Sequence, residues 1–306
     1  MDRNLEKSLQ KSLQKSFGQK SLLDNQAIAA SVFLAPALLL MGIFLVFPIA
    51  YLFYLSFTTD SFTTTGGRWV GGRNYLRLLV NPDFWQVLGN TLYFTVATVV
   101  PSLVIPLGLA VVLDKTMAFR AFFRTAYFIP SITSLVAAGL GFRWLFQTDG
   151  FVNFLGQFLG LEPIPWLGSV TWAMPVLIIL SVWKQIGFNL VVFLAGLQAI
   201  PQNLYEAAAL DGASDRQQFW YITLPSLRPT LIFAAITTAI FTFRGFEQVY
   251  VITGGGPMNS TNLLVYYIYQ EAFAQFDFGY AAAVTIVLLL LTLGLVYLQL
   301  RVWGED

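Results

Sequence analysis

The chain has no cysteine and no histidine among its 306 residues, and only 11% of them carry charge. Without cysteine there is no disulfide, no thiolate nucleophile and no thiolate metal site. Without histidine the usual proton shuttle and the commonest metal ligand are missing. An ordinary soluble domain carries about 25% charged residues, so a surface facing water throughout is excluded. A net charge of +1 leaves no electrostatic footprint for nucleic acid. The phosphate-cradling pattern G-x-x-x-x-G-K-[ST] is also absent. No metal-ligand cluster, Ser/His pair or carboxylate dyad within an apolar run marks an enzyme.

What is present is apolar. Hydrophobic residues make up 57% of the chain, and many of its 24 glycines and 13 prolines sit inside apolar runs, as membrane helices allow. A hydrocarbon core about 30 Å thick takes roughly 20 apolar residues as helix. Six runs meet that length: 28–57, 84–113, 122–146, 171–198, 229–252 and 280–302. The expectation is an all-α integral membrane protein with six transmembrane helices spread over 28–302. Pro101 with Pro106, Pro130 and Pro175 should kink or offset their helices.

Orientation follows from the basic residues between the runs. The segments on the N-terminal side of the membrane hold eleven Lys and Arg, among them Lys115, Arg120, Arg124, Arg216, Arg228 and Arg301. The opposite side holds three, Arg68, Arg73 and Arg77. This bias predicts N-in/C-in. Residues 1–27, with Lys7, Lys11 and Lys15 beside a Leu5, Leu9, Leu13 stripe, form a basic cytoplasmic arm, either amphipathic on the membrane surface or a disordered tail. Residues 303–306 are a short cytoplasmic tail. Outside, 147–170 suits an interfacial turn or short helix, and 253–262 a flexible loop. The run Tyr266, Tyr267, Tyr269, Phe273, Phe276 and Phe278 suits an aromatic belt at the headgroups, with contact to an external partner or a sugar ring as the other reading.

The longest polar interruption that still looks helical is 203–228, NLYEAAALDGASDRQQFWYITLPSLR. Leu204–Leu210 is strong helix-forming sequence, and Gln202 or Asn203 could cap it. Asp211-Gly212 gives a turn or left-handed stop. A second short helix follows from a Ser214 or Asp215 cap. The result is a slim helix–Gly–helix knob with Glu206 and Asp211 on its face. By itself it could be only a solvated loop.

The pattern Glu206-Ala207-Ala208, Asp211-Gly212-Ala213, then Phe219, Ile222, Leu224-Pro225 and Pro229 resembles the EAA coupling loop of binding-protein-dependent ABC importer permeases. Ala35-Pro36, Phe128-Ile129-Pro130, Leu197–Pro201 and Thr253–Pro257 resemble the carbohydrate-uptake branch, closest to MalF-like members that import sugars, polyol glycosides or glycerol-3-phosphate. The resemblance implies a bacterial cytoplasmic (inner) membrane subunit. It implies a heterodimer with a second homologous permease, two ATP-binding subunits at the cytoplasmic face that hold ATP and Mg, and an external substrate-binding protein. This chain would hold no cofactor of its own. Glu206, Ala207, Ala208, Asp211 and Gly212 would be the contacts to the ATPase. One departure is the short outer loop at 58–83, where maltose-type large members have extra N-terminal spans and a large insertion.

Ionisable groups in spans are functional candidates. Arg143 is near a span end and can snorkel. Lys184 and Arg244 are deeper, and Glu247, three residues after Arg244, could pair with it along one helix face. The resemblance places sugar-lining positions at Tyr127, Ser131, Trp183, Ile186, Gly187, Leu190, Thr238, Thr242 and Gly245. Helix packing alone would also account for each of them. Lys184 and Arg244 would suit an anionic cargo such as a glycerol phosphate, but a neutral glycoside, with Arg244 neutralised by Glu247, is favoured. The competing reading, a stand-alone ion-coupled secondary carrier, fits poorly with a single six-span set and no histidine.

Overall fold

In hydrocarbon a backbone amide finds no water, so it must be paired within its own segment, and helices satisfy that demand. The computed structural model describes residues 30–59, 67–114 and 120–303. The basic arm at 1–27 and Lys115 lie outside the described residues, as do all but Trp303 of the C-terminal tail.

Helix α1 is Ala30–Leu55, α2 Arg73–Val80, α3 Pro82–Asp114, α4 Arg120–Ile132, α5 Leu135–Leu145, α6 Phe151–Phe158 and α7 Ala173–Gln198. Then come α8 Gln202–Leu210, α9 Asp215–Ser226, α10 Arg228–Phe243, the π-turn α11 Val249–Thr253, α12 Leu264–Tyr269, which continues as a π-turn to Ala274, and α13 Phe278–Trp303. A two-residue hairpin, β1 Thr58–Thr59 with β2 Arg68–Trp69, is antiparallel. The chain divides into two units, Met1–Tyr54 and Leu55–Asp306. The apolar helix α1 makes up the described part of the first.

Four helices, α1, α3, α7 and α13, are long and apolar enough to cross a membrane alone, and the number rises to six if each of two bent pairs is one span. The first break falls just after Pro130, where a kink or offset was expected, and the second falls where the 203–228 segment was expected to lead into the fifth run. Between Thr125–Ile132 and Leu135–Leu145 the axis turns by 102°. Pro130 lies just ahead of the break, and Ser134 caps the new helix by accepting from the Ala137 amide. Between α9 and α10 the axis turns by 64°. The expected 229–252 run ends early, because α10 stops at Phe243 with Arg244 as its cap. The other prolines leave their helices continuous. α3 runs through Pro101 and Pro106. Pro175 falls in the first turn of α7, where its missing amide would have had no partner.

Within the second unit α3 and α7 share the most extensive helix contact. One apolar cluster gathers Phe94, Leu177, Leu180, Val249, Ile252 and Tyr266. A second gathers Ala110, Leu190, Phe193, Leu194 and Leu227. A third gathers Leu78, Phe84, Leu264, Tyr267, Tyr280 and Val284. Tyr266 and Tyr267, expected at a headgroup belt, are therefore core residues.

The segment 253–262 is packed rather than flexible. Thr261 Oγ1 donates to the Gly256 carbonyl at 2.7 Å and lies 2.8 Å from Thr253 Oγ1. Asn90 of α3 donates to the Asn259 carbonyl at 2.7 Å, and Thr91 Oγ1 accepts from the Leu264 amide at 2.9 Å. The stretch 147–170 holds α6, tied down by buried Asn153, which donates to Thr148 and Ile164 carbonyls and accepts from Trp166 Nε1.

Candidate functional site

A cavity of about 560 Å³ opens where α4, α5, α7 and the end of α10 meet. Its wall includes Phe128, Ser131, Lys184, Gln185, Thr242 and Arg244. The break between α4 and α5 shapes one side. A helix end leaves carbonyls without intrahelical partners and a partial negative charge. Lys184 of α7 supplies the missing donor: its ammonium reaches the Pro130 carbonyl at 2.7 Å and also the Thr133 carbonyl. The lysine expected to face a cargo thus holds together a broken helix.

One turn on, Ser131 Oγ donates to the Lys184 carbonyl at 3.0 Å and accepts from the Phe188 amide at 3.1 Å. The close approach of α4 to α7 needs Gly187, since a Cβ there would sit 2.6 Å from Ser131 Oγ and 2.8 Å from the Phe128 Cα. A second joint lies deeper. Pro106 has no amide hydrogen, so the Ser102 carbonyl four residues earlier lacks its helical donor. Asn189 Nδ2 replaces it at 2.6 Å and also donates to Thr238 Oγ1 at 3.0 Å. Asn189 and Thr238 are completely buried, so this joint ties α3, α7 and α10 together.

The expected Arg244–Glu247 pair is not formed. The helix ends between them, and among the described residues the Arg244 guanidinium and the Glu247 carboxylate have neither an ion pair nor a hydrogen bond. Both side chains are exposed and line the cavity.

Five of the expected lining positions come together in the cavity: Ser131, Lys184, Thr242, Arg244 and Gly245. The others lie elsewhere. Trp183 packs on Phe142, with ring centroids 5.6 Å apart. Tyr127 and Leu190 belong to the second apolar cluster, Gly187 and Thr238 to the two joints, and Ile186 is half-buried on α7 away from the lining. Gln185, Gln248 and Phe241 line the cavity without having been singled out. Two glutamines in apolar runs were the signal that could have marked the first two.

At the far end of α10 the 203–228 segment forms a knob. No residue of α8 is buried, and Leu210 is 90% exposed. Pro201, rather than Gln202 or Asn203, precedes its first turn, with no side-chain cap. Gly212 takes a φ of +79°, a left-handed turn that favours glycine. Ser214 and Gln217 then form a capping box that starts α9. Tyr205 OH and Thr223 Oγ1, 2.9 Å apart, close the knob on itself. Glu206, Ala207, Asp211 and Gly212 are all exposed on it, and Ala208 is half-buried.

Residues 91–302 match the family described as the binding-protein-dependent transport system inner membrane component. The chain belongs to this family. As a member it is the membrane component of a transport system, not its ATPase. It is 36% identical over 277 residues to the sulfoquinovosyl glycerol transport permease SmoG of Agrobacterium fabrum, covering 90% of each chain. It is 38% identical over 279 residues to the lactose permease LacF of Rhizobium radiobacter, covering 88% of this chain and 91% of that one. The trehalose/maltose permease MalF of Thermococcus litoralis is 34% identical, covering 92% of this chain and 96% of that one. These relatives place the chain among carbohydrate-uptake permeases. The fold is similar to a chain of a bacterial ABC transporter involved in the import of the acidic polysaccharide alginate, with a TM-score of 0.80, 23% identity and coverage of 96% of this chain and 99% of that one.

Proposed function

We propose that this permease forms half of the membrane pathway of an ATP-driven importer for a sugar, an oligosaccharide or a polyol glycoside, with glycerol-3-phosphate within its range. The observation that carries this reading is one continuous piece of chain. The exposed knob leads through Leu227, which is completely buried, into α10, and the far end of α10 lines the cavity. A force on Glu206–Gly212 therefore has a short path to Thr242 and Arg244.

In this reading six spans cross a bacterial inner membrane with both ends inside, as the basic residues favour. The 28–302 region is the transmembrane domain, 203–228 its coupling loop, and 1–27 and 303–306 cytoplasmic ends. Glu206, Ala207, Ala208, Asp211 and Gly212 dock on ATP-binding subunits, where ATP and Mg are held. A second permease completes the pathway and an external binding protein delivers the cargo. One of the solved relatives is an alginate transporter in complex with a pentasaccharide-bound periplasmic protein, which supports that arrangement. The relatives' cargoes, from lactose to sulfoquinovosyl glycerol, support the carbohydrate class. Family membership leaves the stand-alone carrier without support.

The test is uptake by the complete importer in proteoliposomes. Glu206→Lys and Gly212→Leu should each reduce ATP-driven uptake to below about a tenth, from lost docking contacts and a strained left-handed turn of about 1–2 kcal/mol. Cargo capture by the binding protein should not change. Uptake at the wild-type rate in both variants would overturn the docking role.

A further inference from the structure

We infer that the cargo carries a negative charge and that Arg244 is the group that recognises it. This rests on the transport reading above and goes further by naming the chemical class. Three charged side chains line the cavity: Lys184, Arg244 and Glu247. The Lys184 ammonium is engaged by the carbonyls at the break after α4, and the one carboxylate in the lining, Glu247, can offset only one of the two positive charges. Arg244 is left with no partner among the described residues.

The geometry keeps it so. α10 ends at Phe243, and the chain turns at Gly245, so Glu247 is no longer one helical turn from Arg244. A Cβ at position 245 would meet Gln248 Nε2 at 2.5 Å and the Thr242 carbonyl at 3.0 Å, so the turn is closely packed there. The Arg244 side chain is exposed to the cavity and carries neither an ion pair nor a hydrogen bond among the described residues, so its guanidinium is free to meet a cargo. Its planar fork fits the paired oxygens of a carboxylate, sulfonate or phosphate. The same cavity offers Gln185 and Thr242 for hydroxyls and the rings of Phe128, Phe241 and Phe246 for a sugar face. A neutral glycoside would use all of these and make no charged contact with Arg244. An anionic glycoside uses all of them and Arg244 as well.

The experiment uses the complete importer, with its own binding protein, in proteoliposomes. Four labelled probes are offered separately: a neutral glucoside, the matching glucuronide, its 6-sulfonate and glycerol-3-phosphate. One or more of the three anions should be taken up, and their ranking identifies which acid group is read. Arg244→Gln should raise the KM for the transported anion about ten- to hundredfold, the value of a charge-assisted hydrogen bond. Arg244→Lys should recover part of the loss. The binding protein's affinity, measured separately, should be unchanged. Uptake of the neutral glucoside alone, or an unchanged KM in Arg244→Gln, overturns the inference and leaves the importer reading intact. The same holds if Arg244 proves to be paired with a carboxylate of the second permease in the assembled complex. Absence of ATP-dependent uptake of every probe would count against both.

Discussion

Two side chains, Lys184 and Asn189, supply donors where a helix break and a proline leave carbonyls without them. Asn189 replaces the donor that Pro106 removes, and Asn189→Leu would leave the Ser102 carbonyl and Thr238 hydroxyl buried without their partner. The purified complex should lose about 1–3 kcal/mol of stability, visible as a lower melting temperature. Thr242 and Trp183 should separate cleanly in transport assays. Thr242 lines the cavity and Trp183 packs on Phe142, so Thr242→Val should shift cargo preference, while Trp183→Leu should lower stability with preference unchanged.

In the segment between α12 and α13, half-burial raises the Glu271 carboxyl above its ordinary value, helped by Asp277 and Asp83, while Tyr267 and Arg77 oppose the rise. A raised acid holds its proton longer in the folded state than in the unfolded one, so stability should fall as pH climbs from 4.5 through the raised value. Glu271→Gln should flatten that fall in a melting series across pH. The role of Lys184 was not legible in the sequence. A lysine in an apolar run announces cost, but its carbonyl partners at Pro130 and Thr133 are some fifty residues away and become available only through a break whose angle no local pattern records. Pro106 was visible at once, but the asparagine that answers it was not.

Elements divide by how local their determinants are. The knob was readable in advance because its parts are neighbours: helix formers at 204–210, glycine at 212, and a capping residue at Ser214 or Asp215. The end of α10 was not, because Thr242-Phe243-Arg244-Gly245 holds no proline and glycine is common in membrane helices. Tyr205→Phe tests the knob as a unit. Losing the bond to Thr223 should cost about 1 kcal/mol and lower uptake severalfold, with cargo capture unaffected. Gly187→Ala tests the seam between α4 and α7. The added methyl meets Ser131 Oγ and the Phe128 Cα, which should cost about 1–3 kcal/mol as an overpacked site and reduce the yield of folded complex.

At the scale of the molecule, hydropathy found the apolar runs but not their integrity. The third run is broken after Pro130 and the fifth stops at Phe243, and the carbonyls freed at the first break are met by Lys184 from a different helix. The absence of cysteine allows orientation to be tested without background. A membrane-impermeant maleimide added to intact cells should label Leu159→Cys and spare Gln202→Cys until the membrane is permeabilised. The reverse pattern would overturn the N-in/C-in topology. The wall of the cavity has a further property. Ser131 with Gly187 joins α4 to α7, and Asn189 joins α7 to α3 and α10, so these helices are fastened to one another before any cargo arrives. A wall held in this way loses little conformational entropy on binding. It distinguishes cargoes by the fixed placement of a few groups, and a molecule one charge or one hydroxyl short would find an unfilled position that the wall cannot move to close.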